Sequence, residues 1–154
     1  MRILVDAMGG DNAPDQIALG AIQAAKDFGC EAVLVGRGEA ILQALKDQGI
    51  ETLPKGVEIA NADDVVDMHD DPVKAVRHKK DSSLVKGLTM LKNGEGDAFV
   101  SAGSTGALHV GASLIVRTLR GVKRPALATM VPAKQQAYLL LDCGANVECR
   151  PEML

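Results

Sequence analysis

Aromatic side chains are nearly missing from this chain. Phe28, Phe99 and Tyr138 are the only three in 154 residues, and there is no tryptophan. Without flat rings there is no stacking platform for single-stranded nucleic acid. Cysteine is scarce as well. Cys30, Cys143 and Cys149 are odd in number and show no C-x-x-C spacing, which argues against a disulfide framework and a thiolate zinc site and makes a reducing cytoplasm the expected setting. Charge of one sign is not in excess either: 17 Lys and Arg against 20 Asp and Glu leave a net charge of −3. Nothing in that balance calls for a polyanionic partner, so nucleic acid is not expected. No apolar run approaches the ~18 residues of a membrane span. Met1-Arg2 leads directly into a strand pattern, without the features of a secretory signal. His69, His78 and His109 lack metal-ligand spacing, and no Ser–His–acid or Cys–His arrangement is present, so neither metal nor cofactor is expected.

What the chain does have is aliphatic material. Apolar residues make up 47% of it, enough for a core of Val, Leu, Ile and Ala such as a parallel sheet between helices requires. Strand-like and helix-like segments alternate. Arg2 to Val5 reads as a strand, followed by a glycine-bearing loop and a helix from Pro14 that Gly29 stops. Glu31 to Val35 and Val57 to Ala60 read as further strands, with a helix over Glu39 to Asp47 between them. Helices are expected from Pro72 to Lys79 and from Ser82 to Lys92, then a strand over Asp97 to Ser101 and a long helix over Thr105 to Leu119. Ala126 to Val131 and Tyr138 to Leu141 read as two strands turned at Pro132-Ala133-Lys134-Gln135, a candidate hairpin. The alternation predicts one α/β domain over residues 1–154, with helices on both faces of a mostly parallel sheet. Arg150 to Leu154 starts like a helix and stops after about one turn, too short to hold by itself. The expectation is therefore a chain cut inside a longer protein.

Three strand ends carry similar chemistry: Asp6-Ala7-Met8-Gly9-Gly10-Asp11, Ser101-Ala102-Gly103-Ser104-Thr105-Gly106, and Asp142-Cys143-Gly144-Ala145-Asn146. A strand that ends in small residues and hydroxyls and feeds a helix leaves backbone N–H groups pointing one way, an arrangement suited to an anion. In open α/β sheets such loops converge outside the carboxyl ends of the strands. The bland reading is an ordinary helix cap for each Ser or Thr, and a turn-capping role for Asp6. Neither a Gly-Lys-Ser/Thr ending nor a G-x-G-x-x-G spacing is present. A further stretch, Met68 to Ser83, places acids before Pro72 and bases after it, as the helix dipole favours. Arg77, Lys79 and Lys80 run into Asp81-Ser82-Ser83, and cations beside free N–H groups could also form a second anion subsite. Cys143 reads as a small buried apolar residue more readily than as a nucleophile.

Taken together and in order, Asp6-Ala7-Met8-Gly9-Gly10-Asp11, Arg77, Lys79-Lys80-Asp81-Ser82-Ser83, Ser101-Ala102-Gly103, Thr105-Gly106-Ala107, Arg124-Pro125-Ala126 and Asp142 with Gly144-Ala145-Asn146 resemble the bacterial phosphate acyltransferases of phospholipid synthesis. Ser104 stands where that family usually has Asn, and His109 where it usually has an apolar residue. The resemblance implies a three-layer α/β/α sandwich akin to isopropylmalate dehydrogenases and phosphotransacetylases, with this chain as the N-terminal half. It implies transfer of a long-chain acyl group from acyl carrier protein to inorganic phosphate, a homodimer, and peripheral contact with the inner face of the membrane through elements beyond Leu154. Phosphate is then its own nucleophile, and the site must hold a dianion beside a thioester and stabilise the oxyanion. On that reading Ser101, Gly103, Ser104, Thr105 and Gly106 supply donors, Lys80 the cation, and Asp6 and Asn146 orient the site. Gly9, Gly10, Lys79, Ser82, Asp142 and Gly144 complete the phosphate- or substrate-binding set. The 154-residue piece alone is expected to be weak or inactive.

Two other readings stay open. A nucleotide-dependent dehydrogenase of related fold would want an acid at the end of the second strand, where Val35-Gly36-Arg37 stands instead. A phosphate- or acyl-carrier-binding module without catalysis would share the loops and lack the turnover.

Overall fold

The computed structural model describes residues 1–144. Four strands, β1 (Arg2–Asp6), β2 (Glu31–Gly36), β3 (Val57–Asn61) and β4 (Ala98–Val100), form one parallel sheet in the order β3-β2-β1-β4. Two βα units, through α1 (Asp15–Phe28) and α2 (Gly38–Asp47), build the sheet outward from β1 to β3. The chain then passes through α3 (Pro72–His78) and α4 (Ser83–Lys92) and returns to the other side of β1 as β4.

Both faces of the sheet are covered, which is why β2 reads as an unbroken apolar run. Val5, Ala32 and Leu34 face one way, against Ala18, Ala21 and Ala25 of α1 and Ile41 and Leu45 of α2. Leu4, Val33 and Val35 face the other, toward Met90 and Leu91 of α4 and Phe99. Period-2 alternation in a strand covered on both sides puts aliphatic residues at every position. The result is the three-layer α/β/α sandwich that the sequence predicts. Gly29 ends α1 in the left-handed conformation (φ 62), where a side chain would be strained.

The predicted 105–119 helix differs. It runs as α5 (Thr105–Gly111), widens into a π-helical segment (Ala112–Val116) and stops at Arg117, whose φ is 77. Ser113 Oγ donates to the His109 carbonyl at 2.7 Å, the acceptor that the Ser113 N–H would use in an α-helix. Such side-chain competition loosens the α ladder. Strands β5 (Thr129–Val131) and β6 (Tyr138–Leu140) do form the expected antiparallel hairpin, but as a two-stranded sheet of their own. The short helix expected over Arg150 to Leu154 lies outside the described residues.

Candidate functional site

The direction of sheet growth reverses at β1, which has β2 on one side and β4 on the other. Such switch points open a crevice beyond the carboxyl ends of the two diverging strands. Asp6 ends β1 and Ser101 follows β4, and the two meet. Ser101 Oγ donates to Asp6 Oδ2 at 2.8 Å, the Gly103 N–H donates to Ser101 Oγ at 3.1 Å, and the Met8 N–H donates to Asp6 Oδ1 at 3.3 Å. Asp6 is only 3% exposed, so its carboxylate is held entirely by these loops.

The two loops approach too closely for side chains. A Cβ on Gly9 would lie 2.6 Å from Asp6 Oδ2 and 2.9 Å from the Gly103 nitrogen. Gly10 adopts φ 111 and passes 3.2 Å, measured from an ideal Cβ, from the Ala102 methyl. Asp6, Gly9, Gly10, Ser101 and Gly103 are thus one interlocked junction.

Its donors are largely used internally. The Ser101 hydroxyl is aimed at Asp6, and the Gly103 N–H at Ser101. Ser104 is buried and caps α5, its Oγ accepting from the Ala107 N–H at 3.3 Å. Asn is as good a cap as Ser, so the shortened side chain keeps that job. Thr105 and Gly106 are different. Both are exposed, and their first-turn N–H groups have no partner among the described residues. Gly106 sits against Pro72, 3.2 Å from an ideal Cβ to the ring, which fixes the start of α5 on the start of α3.

The Asp70–Ser83 stretch packs beside this junction in a different manner from an open subsite. Ser82 is fully buried; its Oγ donates to the Lys79 carbonyl at 2.7 Å and accepts from the Val85 N–H at 3.3 Å, capping α4. Lys79 Nζ donates to the Val65 carbonyl at 2.8 Å and to Asp70 Oδ2 at 2.6 Å. The hydrogen bond that Lys79 donates to Asp70 raises the Lys79 pKa, and the same bond, with one from the Asp67 backbone, lowers that of Asp70. Lys80 is exposed, and its Nζ donates to the Val76 carbonyl at 3.3 Å. Asp142 Oδ1 accepts from the Leu127 N–H at 2.8 Å, and Gly144 adopts φ 89. Cys143 is half-buried rather than buried, with Sγ 3.5 Å from the Leu140 carbonyl. Asn146 lies outside the described residues.

Sequence reasoning missed two contributors. The segment 65–68 shares a small hollow of ≈ 190 Å³ with Met8, Gly10 and Gly103, and Lys79 pins that segment through Val65. His109 lies one helical turn beyond Thr105, and lines a cleft of ≈ 410 Å³ with Thr105, Gly106, Leu127, Cys143 and Gly144. The four-residue spacing from Thr105 was the available signal.

The family model described as "Fatty acid synthesis protein" matches residues 1–154. The chain is 46% identical over 151 residues to a phosphate acyltransferase of Caldicellulosiruptor bescii, covering 98% of this chain and 45% of that protein. A phosphate acyltransferase of Desulfitobacterium hafniense is 47% identical over 154 residues, covering all of this chain and 45% of that protein. The chain thus spans about half the length of these relatives. Among solved structures, a phosphotransacetylase from Streptococcus pyogenes superposes with a TM-score of 0.68 at 18% identity, over 97% of this chain and 48% of that one. That likeness concerns the fold. The chain belongs to the fatty acid synthesis protein family.

Proposed function

We propose that this member of the family forms the phosphate-binding half of an acyltransferase that moves an acyl group from acyl carrier protein to inorganic phosphate. The observation that carries the reading is the pair of exposed, unpartnered N–H groups at Thr105 and Gly106, set beside the Asp6–Ser101–Gly103 lock at the sheet's switch point. The lock positions the loop, and Thr105 and Gly106 supply donors for a phosphate oxygen or the oxyanion. In the step itself, a phosphate oxygen attacks the thioester carbonyl carbon. The C–O bond forms, the C–S bond breaks, and the phosphate proton ends on the departing thiol. No protein nucleophile is consumed. Lys80 would supply the cation, Asp6 and Asn146 would orient the site, and Asp142 and Gly144 would add to the phosphate- or substrate-binding set. A homodimer, a cytoplasmic setting and peripheral membrane contact through the remaining length of the relatives belong to the same proposal.

The complete protein, supplied with acyl carrier thioester and phosphate, is expected to yield acyl hydroxamate when trapped with hydroxylamine. Absence of hydroxamate would sink the acyltransferase reading. Thr105→Val keeps the side-chain volume and removes one donor, and is expected to raise KM for phosphate about tenfold, the loss of one hydrogen bond to a charged group. An unchanged KM would show that the Thr105 hydroxyl does not touch the phosphate and would leave binding there to the backbone N–H groups alone.

A further inference from the structure

The cleft that opens at Thr105, Gly106 and Gly144 does not end where its polar mouth ends. Leu108, Ala112, Pro125 and Ala126 line it on the inner side, and these same four residues line a second hollow of ≈ 430 Å³. The second hollow continues past Phe99 and Leu88 to Val116 and Leu119. Each hollow is within the ~300–1,000 Å³ of ordinary small-molecule sites. Together they make a trough that follows α5 and the π-helical segment, and among the described residues no Asp or Glu lines either part.

We propose that this trough seats the tail of the acyl group. The inference rests on the acyltransferase reading in one respect only: it places the reacting carbonyl at Thr105 and Gly106. From there to Ala112 is about 10 Å along a helix rising 1.5 Å per residue; the residues shared by the two hollows, Leu108, Ala112, Pro125 and Ala126, are apolar, and Ser113, Arg117 and Thr118 are the polar residues along the second. A tail attached to a carbonyl at the mouth has this trough as its apolar continuation. A Cβ on Gly87 of α4 would overlap the Phe99 ring, so glycine at that position lets the ring that lines the second hollow lie close against α4. Ala112 is the residue of the π-helical segment common to both hollows. The competing occupants of an exposed apolar groove are the remaining polypeptide of a longer chain and a second copy.

The test is a plug at Ala112, where the two hollows meet, in the complete protein. Ala112→Phe is expected to lower the ratio of kcat/KM for palmitoyl over butyryl thioester. Each methylene shut out costs about fourfold (~0.8 kcal/mol), so excluding three or more lowers the ratio roughly 60-fold. Ala112→Leu, a smaller plug that folds more readily, is expected to shift the ratio in the same direction by less. A ratio unchanged in both variants overturns the proposal. So does an unchanged ratio with a lowered Tm or an altered oligomeric mass, which would assign the groove to packing. Displacement of a fluorescent fatty acid by palmitate, seen in wild type and lost in Ala112→Phe, separates the two readings. It would support the trough even if no thioester gave acyl phosphate.

Discussion

At the scale of single residues, the site depends on what glycine permits and what Asp6 demands. A carboxylate this deeply buried must have its acceptor capacity filled, and the Ser101 hydroxyl and the Met8 N–H fill it. That arrangement needs the Gly9 loop and the Ser101–Gly103 loop in direct contact. Gly9→Ala puts a methyl group where Asp6 Oδ2 and the Gly103 nitrogen already sit. Both atoms belong to the hydrogen-bonded lock, so neither can retreat cheaply. The expected cost is ~1–3 kcal/mol of stability, the usual range for overpacking, read as a fall in Tm. A larger effect is expected on KM for phosphate, because the Ser101–Gly103 turn leads directly into Thr105. Gly9→Ala with unchanged Tm and KM would show that the two loops are not locked together. Ser101→Ala is the milder form: it removes the donor and leaves the buried carboxylate short of one partner, at ~1–3 kcal/mol.

At the scale of elements, the stretch around α3 works as a brace. Lys79, at the end of α3, holds the 65–70 segment by one carbonyl and one carboxylate, and that segment faces Gly10 and Gly103. The pair has a defined pH window. Asp70 titrates below its ordinary 3.8, so its contribution is complete above that value and is lost as pH falls through the lowered one. Lys79 titrates above its ordinary 10.5, so its contribution is complete below that value and is lost as pH rises through the raised one. The Tm difference between wild type and Lys79→Met is therefore expected to be full between 3.8 and 10.5 and to narrow at both extremes, at low pH to what the Val65 hydrogen bond contributes. Both side chains are about 30% exposed, so the difference itself is small and should shrink in salt. A difference that is the same at pH extremes would mean the ion pair contributes nothing.

The same elements show what the chain states openly and what it hides. Strands and helices declare themselves through period and caps: Gly29 at the end of α1, Asp71 and Pro72 at the start of α3, and the both-faces-apolar run of β2. The three hydroxyl- and glycine-rich strand ends are equally plain, because an anion site and a helix cap need the same residue types. That shared need is also why roles could not be apportioned in advance. Whether Ser82 caps α4 or faces a ligand depends on burial, and whether the Ser101 hydroxyl is free depends on Asp6, 95 residues away. The π-helical widening coincides with a side-chain hydrogen bond at Ser113, which has no periodic signature. The 65–68 segment carries no repeating pattern at all, and its place near Gly10 is set by Lys79 from a distance.

At the scale of the whole molecule, apolar surface is distributed very unevenly. The aliphatic side chains of the central strand β2 are all buried, whereas Leu119, Met130, Tyr138, Leu139, Leu140 and Leu141 are all exposed by more than 40%. Met130 and Leu139 are directly paired across the hairpin, so they present their side chains on one face together. A two-stranded ribbon with apolar residues facing water is marginal without a covering layer. Contiguous exposed apolar surface of this kind marks a contact. Relatives of this chain are about twice as long, which supplies polypeptide to form that layer. Leu139→Lys distinguishes the possibilities. In the 154-residue chain it is expected to reduce binding of an apolar dye such as anilinonaphthalene sulfonate and leave Tm nearly unchanged, since the position is exposed there. In the complete protein a covering layer would trap the new charge without a partner, and the expected loss is ~3–5 kcal/mol. If Leu139→Lys is equally harmless in both, the hairpin is not covered by the rest of the protein. The exposed face would then have to be accounted for by a partner outside the polypeptide.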